Sequence, residues 1–213
     1  MGSDDLFYGN LNLRQKEILN DLLPKYSDVV DHFTAYQFIY PNKNTSYKEL
    51  GELNNRVRQA KNSALLKEYK AQDADLWKYL EKISLDFGLT KSDYKEIKDF
   101  IQLEIAPIII SLKDFWNRAR PYQYAYVFEL NYHPYPTISG HSASYPSGHT
   151  IEAEVWGYLC KQLIPSKKSN IESVVNTIND SRLDLGVHFP SDIYFSKEVF
   201  DYLVKNNYLT EQS

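Results

Sequence analysis

Cysteine is nearly missing from this chain: Cys160 stands alone among 213 residues, which excludes an internal disulfide and fits a reducing compartment. A lone thiol serves equally well as a small core residue. No apolar run approaches the length of a membrane span, and the start, Met1-Gly2-Ser3-Asp4-Asp5, is polar and acidic, unlike a secretory leader. The expectation is a cytoplasmic protein with no membrane span, or a periplasmic one if a leader has been removed. Basic charge is short as well. A formal net charge of -4 argues against nucleic acid as the main partner, because phosphate-backbone binding needs an electropositive face. Any cationic site must therefore be local. Metal motifs are lacking too: there is no HExxH and no cysteine pair. His133, His141 and His149 are evenly spaced, but loop residues at that spacing share no helix face. No metal ligand is assigned.

What remains is ordinary globular material. Hydrophobic residues at 43% and charged residues at 24% argue against wholesale disorder. With no repeat, low-complexity tract or convincing boundary, residues 1–213 read as one domain, large enough to bury roughly 70% of its unfolded surface. The apolar periodicity is helical almost throughout. Ile18, Leu19, Leu22 and Leu23, then Val29, Val30 and Phe33, read as two short helices broken at Pro24 and ended at Pro41. Ser46 is placed to cap the next, along which Leu50, Leu53, Val57, Ala60 and Ala64 recur at helical spacing. Another carries Leu76, Leu80, Ile83 and Phe87 and stops at Gly88. Thr90 and Asp93 resemble a capping box opening a long helix through Ile97, Ile105 and Leu112 to Arg120-Pro121, bent at Pro107.

From Tyr122 to Tyr132 tyrosines and other large residues alternate strictly, the period of an extended segment. Ser147 then caps a helix from Gly148 to Ile164, with Val155, Trp156, Leu159 and Leu163 as its stripe and Pro165 as its stop. Ile171, Val174, Val175 and Ile178 begin a further helix that stops near Gly186. Ser191 is placed to cap the last, which carries Phe195, Val199, Tyr202 and Leu203. The architecture expected is all-α, a single-domain helical bundle.

Three segments of that bundle carry chemistry. At Pro146-Ser147-Gly148-His149 the amides of Gly148 and His149 lack intrahelical partners at the positive end of a helix dipole, and glycine admits a ligand to the backbone. The result is either an anion seat with a proton donor beside it or a plain N-cap. Lys113 and Arg120 would project from one helix face about 10 Å apart, or snorkel to water beside the apolar stripe. Continuing the stripe Ile171, Val175, Ile178 lands on Arg182. A guanidinium at that interior position needs an anionic partner, either a protein carboxylate or a bound one. Asp192 follows His188 closely enough to hydrogen-bond one imidazole nitrogen, fixing the tautomer and leaving the other free to attack. A loop histidine beside a helix-capping aspartate is the plainer reading. The aromatic segment from Tyr122 to Tyr135 either packs or stacks on an aromatic leaving group.

Taken together, Lys113-x6-Arg120-Pro121, Pro146-Ser147-Gly148-His149 and Ser181-Arg182-x5-His188-x3-Asp192 resemble the type-2 phosphatidic acid phosphatase and vanadium haloperoxidase superfamily, in particular the soluble class A acid phosphatases. The run Gly186-Val187-His188-Phe189-Pro190-Ser191-Asp192 is itself similar to the family's last motif. The likeness spans Lys113 to Asp192, and helices within residues 1–110 would complete the core. It implies a metal-independent phosphoric monoester hydrolase acting on a small phosphorylated substrate. Lys113, Arg120, Arg182, the Ser147 hydroxyl and the Gly148 amide would bind the phosphoryl oxygens. His188 would attack phosphorus to form a phosphohistidine and Asp192 would orient it. His149 would protonate the leaving oxygen and then activate water. No cofactor is implied, and vanadate would inhibit. Two other readings use the same residues: a haloperoxidase holding vanadate on His188 as cofactor, and a helical phosphate-binding protein without turnover.

Overall fold

The helix α9 (Gly148–Leu163) is the one against which the rest of the site-bearing half packs, because it is apolar over most of its circumference. Ile151, Ala153, Val155, Trp156 and Cys160 have no exposed surface. Burying a side chain the size of valine or isoleucine contributes about 1.5–3 kcal/mol, so this helix is a principal source of the core's stability. It lies against α7 (Ala106–Trp116), α10 (Lys168–Asp184) and α11 (Pro190–Lys205). Close approach to α10 depends on Gly157, where an added Cβ would come within 2.6 Å of Val175.

The structure, a computed structural model, describes residues 6–9, 13–22, 26–35 and 40–210. Before α7 come α1 (Leu13–Leu22), α2 (Ser27–Thr34), α3 (Lys43–Ala60), α4 (Leu66–Ala74), α5 (Leu76–Phe87) and α6 (Lys91–Phe100). Between α7 and α9 lies the short α8 (Pro121–Val127). The described residues are helical apart from loops and one isolated antiparallel bridge, between Phe7 and Arg118. The fold is all-α, and no described helix is long and apolar enough to cross a membrane. Leu23 and Pro24, taken as the break between the first helices, lie outside the described residues, as does the acidic start at residues 1–5.

Several local expectations are overturned. Asn42, not Ser46, caps α3, accepting from Thr45 N at 2.9 Å. Ser46 is buried inside the helix instead. That helix ends at Ala60, and the following residues turn into α4, a helix too weakly amphipathic for its pattern to show. The Thr90–Asp93 capping box is present. The long helix it opens passes through a π turn at Ile101–Ile105, just before Pro107, where Ala106 N donates to Ile101 O. That wider turn leaves Pro107 in the first turn of α7, where its missing N–H costs nothing. α7 stops at Trp116 because Asn117 adopts a left-handed conformation with φ 44°. Lys113 and Arg120 therefore do not share a helix.

Nor is the stretch from Tyr122 to Val127 extended. Pro121 opens α8 and the Gln123 side chain accepts from Arg120 N at 2.8 Å. Residues two apart on a helix point to opposite faces, so Tyr124 is buried against Phe189 while Tyr122 and Tyr126 are exposed. Within α9, Leu163 is likewise exposed rather than part of the buried stripe. At the last helix Phe189, not Ser191, is the capping position, with Pro190 as first residue.

Candidate active site

Helices α10 and α11 are joined by a tight turn, and Gly186 makes it possible. Its φ of +78° is one that side chains rarely adopt, and a Cβ there would collide with Tyr132 and Val57. Val187 N and His188 N both donate to Arg182 O, at 3.1 and 3.3 Å, which ties the histidine to the arginine. Pro190 opens α11, so Asp192 falls in its first turn and reaches back to accept from Phe189 N at 2.8 Å. The same carboxylate oxygen lies 3.2 Å from His188 Nδ1 and accepts from Ser144 Oγ. The other oxygen accepts from Arg118 Nη1 at 2.6 Å.

With Nδ1–H donating to Asp192, the lone pair of His188 resides on Nε2. Arg120 Nη1 lies 2.9 Å from that nitrogen. Burial, aided by Arg120, Lys113 and Arg182, pushes the His188 pKa well below its ordinary value. The ring is therefore neutral near pH 7, as a nucleophile requires.

Three buried cations surround this ring. Lys113, from the last turn of α7, donates to the Ala143 carbonyl at 2.5 Å. Burial, reinforced by Arg120, holds its pKa well below the lysine range. Arg120 is 1% exposed and donates to Ser142 O at 2.7 Å and Val187 O at 2.8 Å, and burial lowers its pKa to about 10. Arg182, fully buried, uses Nη1 to reach Asp73 Oδ1 at 3.1 Å and Ser139 Oγ at 3.2 Å. Its Nη2 is buried and has no partner among the described residues. The interior arginine thus has a protein carboxylate on one side and an open donor on the other. Buried cations held mainly by carbonyls and hydroxyls are short of negative charge, and a bound anion would supply it.

The start of α9 completes the cluster. Ser147 caps the helix as its sequence suggests, its Oγ accepting from Thr150 N at 3.4 Å and from Thr150 Oγ1 at 3.0 Å. Gly148 faces α7, where an added Cβ would be 3.4 Å from Ile109 and 3.8 Å from Lys113 Cε. The amide end of the helix and the lysine are therefore neighbours. His149 is half-buried. Burial first, then Arg182, His188, Arg120 and Lys113, lower its pKa well below the usual histidine value, so it sits within electrostatic reach of all of them. Lys113, Arg120, Ser147, Gly148, His149, Arg182, His188 and Asp192 are brought together, whereas His133 and His141 are exposed.

Sequence reasoning missed four residues here. Arg118 is fully buried and joins Asp192 to α3, donating to Ser46 Oγ at 2.8 Å and Glu49 Oε2 at 3.0 Å. The Arg118-Ala119-Arg120 triplet, two arginines one residue apart, was the available signal. Asp73 and Glu49 are far away in sequence, and nothing in their helices marks them. Glu152, one helical turn beyond His149, was readable as an acid on the anion-facing side. Burial raises its pKa to about 7, against the pull of Lys113 and Arg182.

The fold thus gathers buried cations, a helix start and an imidazole held by a carboxylate. Residues 103–197 match the model of the PAP2 superfamily, so the segment bearing these residues is similar to the type-2 phosphatidic acid phosphatase superfamily. The match begins within the π turn and ends in α11, leaving α1 to α6 outside it. No curated protein matches the chain.

Proposed function

We propose that this protein hydrolyses phosphate monoesters without a metal, through a phosphohistidine on His188. Similarity to the superfamily supports a phosphoric ester hydrolase. The observation that carries the finer reading is His188 itself. Its Nδ1 is held by Asp192 and its Nε2 lies at Arg120 inside a ring of cations. The unpartnered Arg182 Nη2, the Lys113 ammonium, Arg120, Ser147 and the Gly148 amide would take the phosphoryl oxygens. Arg120 Nη1 would exchange its contact with Nε2 for one of those oxygens, releasing the lone pair.

Attack by Nε2 forms the N–P bond as the ester P–O bond breaks, and Asp192 stabilises the cationic ring that results. His149 donates a proton to the leaving oxygen, then accepts one from the water that cleaves the N–P bond and releases phosphate. In this reading the three cations and the helix start supply the charge that a metal supplies elsewhere. The protein is expected to hydrolyse p-nitrophenyl phosphate in the presence of chelator and to be inhibited by vanadate. His188→Asn should lower kcat by at least about a thousandfold, and near-normal turnover by that variant would overturn the proposal.

A further inference from the structure

Glu152 is out of place in a site built to hold an anion. It follows Gly148 by one turn on the face of α9 that meets Lys113, and it follows His149 by three residues. Its side chain is half-buried, and among the described residues it has no hydrogen-bond or ion-pair partner. The charged groups facing it are Lys113 from α7 and Arg182 from α10, with His149 on its own helix. On α11, Lys197 turns elsewhere and lies 3.9 Å from Glu154. A carboxylate that merely balanced the cations would be hydrogen-bonded to one of them, as Asp73 is to Arg182. Left unbonded between Lys113 and Arg182, Glu152 is free to change its charge when theirs is taken up by a ligand.

We propose that Glu152 is the proton acceptor of the phosphoryl pocket: it takes up a proton when a tetrahedral oxyanion binds. The physical reason is competition for the same cations. An arriving dianion engages Lys113 and Arg182 and repels the carboxylate, and both effects favour its neutral form. Glu152 is already balanced near neutrality in the empty site, so the change falls within the working range of pH. The neutral carboxyl can then donate to the bound anion, and ligand affinity and pH are linked.

The inference rests on the oxyanion-site reading, and the test separates the two. Tungstate is a suitable probe, being a tetrahedral dianion that does not itself titrate near neutrality. Calorimetric titration of the full chain with tungstate, in buffers of different ionisation enthalpy, should show proton uptake rising toward one per site between pH 6 and pH 8, as linkage to one group near neutrality requires, with about a tenfold loss of affinity per pH unit above pH 7. In Glu152→Gln the uptake above pH 7 should fall by most of that amount and the affinity there should lose most of its dependence, leaving only the share that His149 contributes at lower pH. Glu152→Asp, which keeps the carboxyl, should retain the uptake. Equal proton uptake in the wild type and Glu152→Gln, with tungstate bound by both, would overturn the role of Glu152 alone. No tungstate binding by the folded wild type would overturn the oxyanion site and this inference together.

Discussion

The two histidines of the site differ in what their protonation must do. His188 is useful only when neutral, and burial among cations keeps it so. In the proposed mechanism His149 acts as an acid, yet burial and the same cations depress its pKa in the empty pocket. A phosphoryl dianion bound beside it reverses that field and raises the pKa again. Because kcat/KM reports the free protein, whose acid titrates below the usual histidine value, kcat/KM should fall as pH rises through the acid range. The corresponding limb of kcat should lie at higher pH. A pH profile of p-nitrophenyl phosphate hydrolysis checks this, and His149→Asn should abolish the acid-range limb. Persistence of that limb would assign it to another group. At this scale the sequence was a good guide, since the spacing from His188 to Asp192 and the interior position of Arg182 were both readable. That Arg182 divides itself, with Nη1 on Asp73 and Nη2 open, was not. Which donor of a guanidinium is spare depends on a partner more than a hundred residues away.

Among the elements, the turn between α10 and α11 does the most positioning. It fixes Arg182, His188 and Asp192 relative to one another through the carbonyl of Arg182 and the left-handed Gly186. Gly186→Ala should cost more than about 1 kcal/mol of stability, because the new Cβ faces both a strained φ and Tyr132. It should also lower kcat by displacing His188. Urea unfolding and steady-state kinetics on the same preparation test both effects, and an unchanged midpoint would contradict the geometry. Helix starts governed by a local side chain were legible, as Ser147 and Thr90 demonstrate. Those governed by packing were not. The alternating tyrosines after Pro121 satisfied a strand pattern, yet docking of Tyr124 against Leu50, Leu53 and Phe189 made the segment helical. The Lys113–Arg120 spacing likewise suggested one helix face, until Asn117 broke the helix between them.

Across the whole molecule, Arg118 holds three parts of the chain together. It joins Ser46 and Glu49 of α3 to Ser191 and Asp192 of α11, and its guanidinium lies 4.1 Å from the centroid of the Phe189 ring. Arg118→Ala would leave Asp192 and Glu49 without their buried counter-ion, a loss of about 3–5 kcal/mol, measurable as a lower urea midpoint. A decrease below about 1 kcal/mol would show that water replaces the arginine. The sequence by itself determined the helical class, the start of α9 and the closeness of His188 to Asp192, because periodicity, capping and short spacings act over a few residues. Tertiary structure alone decided that Arg182 Nη2 has no partner among the described residues, that Arg118 rather than a surface group anchors Asp192, and that Glu152 faces Lys113 and Arg182. Those facts depend on burial and charge summed over helices distant in the chain, and no local pattern encodes such sums.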